Sequence, residues 1–243
     1  MEKMLTGCAH TLKKCRMVSV LTGAGISAES GISTFRGKGG LWEKYDPEDL
    51  ATIDGFNRDP ERFWRWFDER RIEVSRAEPN PAHLALAEME KHFELFAVIT
   101  QNIDGLHAAA RSSLIIELHG NIWRVRCTRD NELSENRDIP LREIPPRCYC
   151  GAILRPDVVL FGEPLDPATL NRAYILSETC NAMLVVGTSA VVYPAAHLPL
   201  IAKRAGAYII EVNPEVTPLT PICDFSFREK ASVILPELKR LLE

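Results

Sequence analysis

The stretch MVSVLTGAGISAESGISTFRG, residues 17–37, decides how this chain begins to fold. An apolar run at 17–21 precedes Gly23, Gly25 and Ala28, which fit the pattern G-x-G-x-x-G/A. In this pattern a buried strand ends in a glycine turn that opens a helix, and free backbone N–H groups there bind a pyrophosphate. The stretch therefore predicts a dinucleotide site at the carboxyl end of the first strand.

Apolar, strand-like runs alternate with longer amphipathic segments along most of the chain. This alternation predicts the α/β class, with a Rossmann-like parallel sheet. The predicted strands are 17–21, 96–100, 114–118, 183–187 and 207–212. The predicted helices are 60–76, 81–91, 167–178, 194–205 and 235–242.

Two segments interrupt the alternation. Residues 38–78 are rich in Trp, Arg and Glu, and residues 123–156 are polar, with Pro140, Pro145, Pro146 and three of the cysteines. We expect them to form one small domain beside the sheet, with the cofactor cleft between the two domains. The Rossmann-like domain would then comprise 1–37, 79–122 and 157–243.

Composition excludes several classes of protein. The chain has 243 residues, of which 46% are hydrophobic and 26% charged, as in an ordinary globular enzyme. Its net charge of −4 disfavours direct binding to nucleic acid. No stretch has the length and apolarity of a signal peptide or a membrane span. Seven cysteines, an odd number, favour a reducing compartment, and the cytoplasm is predicted.

The residues beyond the glycine turn disfavour a dehydrogenase. Such enzymes carry an acidic residue about 20 residues further on, at the end of a second strand. The candidates here are Asp46 and Glu48, and no apolar strand precedes either of them. The dinucleotide therefore has a use other than hydride transfer.

Six motifs occur in the order found in sirtuins, the NAD-dependent protein-lysine deacylases. They are GAGISAESGISTFRG (23–37), TQNIDGLH (100–107), ELHG (117–120), RPDVVLFGE (155–163), VVGTSAVVYPA (185–195) and EVNPE (211–215). Together they span most of the chain. The TFRG variant resembles the branch of archaeal and bacterial deacylases that includes desuccinylase-like enzymes. The resemblance implies a Rossmann-like domain plus a small domain with a helical and a zinc-ribbon-like module.

The resemblance also implies the reaction. Acyl-lysine would attack the nicotinamide ribose of NAD, a co-substrate, to yield nicotinamide and O-acyl-ADP-ribose. His119 resembles the catalytic base, and it follows an apolar run that should place it at a strand's carboxyl end. Asn102 and Asp104 resemble the residues that hold the nicotinamide ribose and amide. His107 follows this loop on a helix and is interpreted as a structural histidine.

The remaining NAD contacts are implied by the same motifs. The cofactor-binding set is Gly23, Ala24, Gly25, Ala28, Thr34, Phe35, Arg36, Trp42, Gln101, Asn102, Ile103, Asp104, Gly187, Thr188, Ser189, Asn213, Pro214, Glu215 and Ala231.

The predicted partners are acylated-lysine proteins or peptides, with no membrane and no nucleic acid. The segment 158–163 resembles the strand edge that receives the peptide by strand addition. Its predicted contacts are Val158, Val159, Phe161, Gly162 and Glu163, with Phe161 as an apolar wall of the acyl-lysine tunnel.

The acyl group is left open between two interpretations of the helix FWRWFDERRIEV (63–74). Succinyl- and malonyl-preferring relatives clamp the acyl carboxylate with a Tyr and an Arg three residues later. Phe67 and Arg70 fall at these positions, and Ala51 resembles a residue that widens the pocket. Arg70 alone can pair with a carboxylate. The other interpretation makes Arg70 and Arg71 a solvated face, with Trp64 and Phe67 packed inward.

The zinc motif departs from the family pattern of two C-x-x-C pairs. Cys127 is followed by Asp130 at the second position, and Cys148 and Cys150 have one residue between them. Zinc accepts all these ligand types. Side chains at i and i+2 of a strand are about 7 Å apart, so both sulfurs reach one ion only if the backbone bends. Gly151 would help, but the altered spacing favours a segment held by prolines and packing without zinc.

Two other functions use the same dinucleotide site. A mono-ADP-ribosyltransferase shares the cleavage of NAD and passes ADP-ribose to a protein nucleophile. An NAD-sensing binding module predicts loss of the residues at 102, 104 or 119, which are intact. His119 and the peptide-binding motif favour deacylation.

Overall fold

The computed structural model describes residues 1–34, 40 and 51–243, and two sheets form its framework. The strands are β1 (Met17–Thr22), β2 (Leu95–Thr100), β3 (Ile115–Glu117), β4 (Gly120–Cys127), β5 (Leu133–Glu135), β6 (Leu154–Val158), β7 (Ala182–Val186), β8 (Tyr208–Val212) and β9 (Phe225–Phe227). The main sheet is parallel, in the order β3-β2-β1-β7-β8-β9. The second sheet is antiparallel, in the order β5-β4-β6.

Helices lie on both faces of the main sheet and against the second sheet. In the described part of the chain they are α1 (Glu2–Leu12), α2 (Ile53–Arg58), α3 (Pro60–Ser75), α4 (Pro81–Met89), α5 (Leu106–Ala109), α6 (Pro167–Thr179), α7 (Leu198–Arg204) and α8 (Ala231–Leu242). On one face, α1, α4 and α8 pack against buried strand residues such as Val18 and Val98. On the other, α6 and α7 pack against residues such as Ile99 and Met183. None of these described helices has the length and apolarity to cross a membrane.

The elements α2 and α3 pack on β4 and β6. We call these four elements, together with β5 and the segment between β5 and β6, the small module. Phe63, Trp64 and Phe67 of α3 share a buried apolar cluster with Val125 and Leu154. The Trp64 indole N–H donates to the Leu154 carbonyl at 2.8 Å, so the buried ring leaves no unpaired donor. Burial of these rings joins the two parts of the sequence that interrupt the α/β alternation.

This architecture confirms the predicted fold class. Each predicted strand is present within one residue at either end, and four predicted helices are present, although α8 begins at Ala231 instead of 235. The helix predicted at 194–205 is a 3-10 turn, Ala195–His197, followed by α7. β4 and β6 each cross a domain boundary placed by the sequence, at 122/123 and 156/157, and the domain division stays a prediction.

The order of the strands places a crevice at one edge of the main sheet. The chain moves from β1 to β2 on one side, and β7 later joins β1 on the other side. Ligands of open α/β sheets bind outside the carboxyl ends of the strands at such a switch point. The turns after β1 and β7 both lie there.

These two turns touch through their backbones. The Gly25 N–H donates to the Gly187 carbonyl at 2.8 Å, and a Cβ on Gly25 would stand 2.7 Å from that oxygen. Gly187 has a φ of +59°, and a Cβ there would overlap the Ile26 backbone nitrogen. Glycine is therefore required sterically at both positions, before any ligand is considered.

We predict that Gly25→Ala lowers the free energy of unfolding by about 1–3 kcal/mol, because the added methyl forces two backbones apart. Gly7→Ala is the matched control. Its Cβ would meet a Phe225 ring atom at an ordinary 3.6 Å within α1, so it should stabilise by up to about 1 kcal/mol. Urea denaturation of both variants measures the difference. Equal stabilities would contradict the steric requirement.

Candidate active site

A cavity of about 760 Å³ lies at the carboxyl ends of the central strands and extends to the small module. Most residues of the predicted NAD set line it. These are Gly23, Ala24, Gly25, Ala28, Thr34, Gln101, Asn102, Ile103, Gly187, Thr188, Ser189, Asn213, Pro214, Glu215 and Ala231. His119, Phe67, Val158, Val159, Phe161, Gly162 and Glu163 line it as well. The structure thus brings most of the predicted NAD-binding residues together with His119 and most of the predicted substrate-binding residues around one cavity.

Some predicted residues are not part of this lining. Phe35, Arg36 and Trp42 lie outside the described residues, as do Asp46 and Glu48. Asp104 is described but is 7% exposed and lies behind the cavity wall. Its predicted contact with nicotinamide stays a prediction.

The glycine turn differs from the predicted form. It opens two 3-10 turns, Ala24–Ile26 and Ala28–Ser30, and no α-helix follows it directly. The Gly23 N–H donates to the Val186 carbonyl, and the Gly25 N–H is held by Gly187. The expectation of an α-helix at this turn is therefore wrong, and the contact with β7 and the residue after it uses two of its amides, whereas the pyrophosphate site stays a prediction.

The segment Gln101–Asp104 is held by its side chains against the β1 turn. Asn102 Nδ2 donates to the Gly23 carbonyl at 3.1 Å and to Ser27 Oγ at 3.2 Å. Ser27 Oγ donates to Asp104 Oδ2 at 2.8 Å, and the Leu106 N–H donates to Asp104 Oδ1 at 2.8 Å. Burial raises the pKa of Asp104, and these two hydrogen bonds oppose the rise. The segment is thereby fixed before a ligand arrives.

His119 is half-buried in the cavity wall, two residues after β3. Its Nδ1 lies 2.8 Å from the Gln101 carbonyl oxygen. A carbonyl only accepts, so Nδ1 carries the proton and Nε2 is left with a lone pair. Burial lowers the pKa of His119, and the hydrogen bond to Gln101 opposes that shift. The ring is therefore neutral near pH 7 and has one nitrogen able to take a proton.

The far end of the cavity is formed by the turns after β7 and β8. Asn213 Nδ2 donates to the Thr188 carbonyl at 2.8 Å, and Gln101 Nε2 donates to Thr188 Oγ1 at 3.0 Å. Hydroxyl and amide groups in these turns suit the hydroxyls of a ribose. Ala51, the predicted pocket-widening residue, lines the cavity, and sequence reasoning did not assign several other lining residues, namely Glu29, Trp66, Leu160, Leu165, Val192, Tyr193, Val212, Val216, Thr217 and Lys230. Many are direct neighbours of predicted ones, and that adjacency is the signal that could have found them.

The segment 158–163 is not a continuous strand. β6 ends at Val158, and the following amides are already used. The Val159 N–H donates to the His119 carbonyl, the Phe161 N–H to the Ala51 carbonyl, and the Leu160 N–H to Glu163 Oε2. Arg155 holds Glu163 by two hydrogen bonds. Residues 159–163 are therefore not part of a regular strand, and the addition of a peptide strand at this segment stays a prediction.

The structure separates the two halves of the predicted acyl clamp. Phe67 lines the cavity, whereas Arg70 is not among the described residues that do. Its Nη1 donates to Glu73 Oε2 at 2.7 Å, and this pair is about one-fifth exposed. Arg71 is 0% exposed and donates to the Asn136 carbonyl, so the alternative of a solvated face is wrong for Arg71.

Three predicted metal ligands converge in the small module. The sulfurs of Cys127, Cys148 and Cys150 lie within 4.8 Å of one another, and Cys127 Sγ and Cys150 Sγ are 3.6 Å apart. Two thiolates on one tetrahedral zinc are about 3.8 Å apart, so this spacing fits the ion. The backbone bends as required, with the Gly151 N–H on the Cys148 carbonyl and a φ of +83° at Gly151. Asp130 lies at the edge of this group, and its pKa is lowered by hydrogen bonds from the Glu132 amide and the Cys127 thiol.

Known proteins resemble this chain over most of its length. A family model described as the Sir2 family matches residues 23–194. An NAD-dependent protein deacylase of Aquifex aeolicus (strain VF5) is 54% identical over 222 residues, which cover 91% of this chain and 93% of that protein.

Solved structures agree with this similarity. A Sir2 homologue in complex with NAD is 49% identical, has a TM-score of 0.91, and is aligned over 100% of this chain and 93% of its own. A Sir2 protein solved with a deacetylated p53 peptide and 3′-O-acetyl ADP-ribose is 36% identical, with a TM-score of 0.90 and 97% of each chain covered.

We predict that the pKa of the His119 imidazole is below 6.5, the ordinary value for histidine, because burial disfavours the cation. As the pH falls, the ring should therefore stay neutral longer than a free histidine. NMR of the histidine Cε1–H signals measures this midpoint, and a His119→Asn variant assigns the signal. A midpoint at or above 6.5 would contradict the described burial.

Proposed function

The chain belongs to the Sir2 family and is an NAD-dependent protein deacylase, and we propose which of its residues carry out the reaction. The observation that carries this proposal is the tautomer of His119. With Nδ1–H bonded to the Gln101 carbonyl, Nε2 is unprotonated in a residue that lines the cavity. A neutral imidazole in this state is suited to act as a general base.

The proposed steps consume NAD, the acylated lysine and one water molecule, and they need no other reactant. The acyl-amide oxygen of the substrate lysine attacks C1′ of the nicotinamide ribose, and nicotinamide leaves with the electron pair of the broken C–N bond. His119 Nε2 then removes the proton of a ribose hydroxyl, whose oxygen attacks the acyl carbon. Water enters as lysine is released, and the products are lysine, nicotinamide and O-acyl-ADP-ribose. NAD is thus a substrate that each turnover consumes.

Asn102 and Asp104 are assigned different parts. Asn102 lines the cavity and is proposed to contact the nicotinamide ribose. Asp104 lies behind the wall and is proposed to position the turn through Ser27 and the Leu106 amide. The turns at Thr188 and Asn213 are proposed to hold the adenosine ribose.

The peptide is proposed to cross the rim of the cavity near Phe161 and Tyr193. Both side chains line the cavity, yet Phe161 is 44% and Tyr193 63% exposed. Large apolar side chains at the rim of a cleft are typical of a surface that a partner covers. Few amides of 158–163 are left for strand pairing, so side-chain contacts are proposed to supply much of the affinity.

The acyl group is proposed to be apolar, with acetyl as the simplest case. The cavity wall next to α3 is formed by Ala51, Trp66 and Phe67, and these are apolar. Arg70 pairs with Glu73 and is not among the described residues that line the cavity. A succinyl carboxylate would lose its hydration there without a described cation to meet it, which is unfavourable.

Zinc is proposed to be held by Cys127, Cys148 and Cys150, with Asp130 as the fourth ligand. The convergence of the three sulfurs and the position of Asp130 beside Cys127 support this ligand set. The ion would fix the β4–β6 end of the small module and take no part in the chemistry. A thiolate site needs reduced cysteines, which agrees with the proposed cytoplasmic location.

We predict that His119→Asn lowers the deacetylation rate by about 100-fold or more, because a general base is worth 10²–10⁴ in rate. Arg70→Met should leave deacetylation unchanged, and desuccinylation should be weak in both the parent and this variant. The measurement is mass spectrometry of peptide and nicotinamide products from one lysine peptide bearing an acetyl, succinyl or longer acyl group.

Two results would contradict these assignments. Desuccinylation that is strong and depends on Arg70 would make Arg70 a carboxylate clamp. Nicotinamide release without deacylation would instead favour mono-ADP-ribosyl transfer, the competing function. An assay without NAD controls for hydrolysis by other routes.

We predict that the protein purified from zinc-supplemented medium carries about one zinc per chain, as a closed four-ligand site requires. Cys150→Ser should abolish this content, whereas Asp130→Ala should weaken binding to a chelator challenge. Cys223→Ser, a cysteine distant from the cluster, is the control. Metal analysis that finds no zinc in the parent would contradict the proposed site.

A further inference from the structure

His107 is a buried histidine that the proposed reaction does not use. It belongs to α5, is 3% exposed, and is not among the residues that line the cavity. Its Nε2 lies 2.9 Å from Thr22 Oγ1, and its Nδ1 has no hydrogen-bond partner among the described residues. A half-satisfied polar group in a core calls for an explanation.

The Thr22 hydroxyl links His107 to the sheet by hydrogen bonds. Thr22 and Thr100 are the last residues of β1 and β2, are paired in register, and are both buried. Thr22 Oγ1 donates to Thr100 Oγ1 at 2.8 Å, and the Asn102 N–H donates to Thr100 Oγ1 at 3.0 Å. These hydrogen bonds, which we call the string, connect His107 through Thr22 and Thr100 to the Asn102 N–H, where the active-site turn begins.

The peptide group that carries the Asn102 N–H also holds His119, through the Gln101 carbonyl. The Asn102 N–H and the Gln101 carbonyl belong to one planar unit, which moves as a rigid body. The carbonyl of this unit accepts the Nδ1–H of His119 at 2.8 Å. Four hydrogen bonds of 2.8–3.0 Å thus connect His107 to His119 through a single peptide plane.

The direction of the protons along this string is determined. Thr22 uses its proton toward Thr100, so its oxygen must accept from His107 Nε2–H. The unpartnered Nδ1 then bears only a lone pair, which is less costly to bury than an N–H. Burial lowers the pKa of His107 to about 3, so the ring is neutral at pH 7. Thr100 Oγ1 thus accepts from two sides, from the Thr22 hydroxyl and from the Asn102 N–H, and holds both at the end of β2.

We propose that His107 is a positioning residue, which orients the Gln101–Asn102 peptide group and through it the imidazole of His119. This inference rests on the proposed role of His119 as the base. It differs from a role in packing alone, for which the contact with His83, 4.9 Å between ring centroids, would suffice.

The test uses variants that remove the string at two points. His107→Met removes the donor, and Thr100→Val removes one hydroxyl with little change of shape. His107→Gln keeps an amide donor and should recover most of the activity. Ser112→Ala is the control, since it deletes a buried hydroxyl without a described partner just after the same helix.

Two activities are measured for each variant, with the unfolding midpoint alongside. Deacylation needs the base, whereas exchange of labelled nicotinamide into NAD needs only the first step. His107→Met and Thr100→Val should lower kcat of deacylation roughly fivefold to tenfold, about one hydrogen bond, and leave exchange and KM for NAD unchanged. Ser112→Ala should leave both activities unchanged.

Deacylation and exchange falling together in Thr100→Val, or neither falling, would overturn the positioning role. His119→Asn separates the proposed base from the proposed string. If that variant keeps deacylation, the proposed base is wrong. If it loses deacylation while His107→Met and Thr100→Val do not, only the string is wrong.

Discussion

The backbone contact between the turns after β1 and β7 is the constraint on which the rest of the site depends. β1 and β7 are neighbours in register, with Thr22 opposite Val186, so their following turns meet at the same height. The chains can pass only because Gly25 and Gly187 have no side chain there. The same contact uses the Gly23 and Gly25 amides. Residues of several turns, the glycine turn among them, line the cavity that opens beside it.

The small module is coupled to the chemistry through the turn at 102–104. β4 supplies two hydrogen bonds to this turn, from the Ile122 N–H to the Ile103 carbonyl and from the Trp123 indole to the Asp104 carbonyl. The Arg71 guanidinium lies 5.5 Å from the Trp123 ring centroid, a favourable cation–π distance. The turn is thus held by the β1 turn on one side and by the small module on the other. A shift of the module would therefore move the cavity wall at Asn102 and Ile103.

Local patterns predicted the parts of this protein that depend on local physics. The apolar runs ending at Thr100 and Val186 indicated two central strands, because parallel strands are buried on both faces. α1 escaped prediction, although Leu5, Cys8, Ala9 and Leu12 have helical spacing, because a Thr and a Gly lie among them. The form of the glycine turn depends on a strand far away in the sequence and could not be seen locally.

The same distinction applies to the site. The motifs predicted that His119 and Asn102 would each follow the carboxyl end of a strand, and both line the cavity. They could not predict whether Arg70 would line it, because a helix can turn either face toward the cavity and tertiary packing decides which. Nor could spacing alone decide the metal site. Cys148 and Cys150 converge because Gly151 adopts a positive φ, which the sequence permits and does not require.

The buried histidines near the turn at 102–104 share one electrostatic property. Burial lowers the pKa of His83 to about 4 and that of His107 to about 3, so both are neutral at pH 7. The nicotinamide ring of NAD is cationic, and positive charge moves onto the ribose as it leaves. A protonated imidazole behind the wall would oppose that charge through a medium of low dielectric constant. Neutral donors fixed in the core supply orientation without repulsion, and they need no reorganisation when the bond breaks.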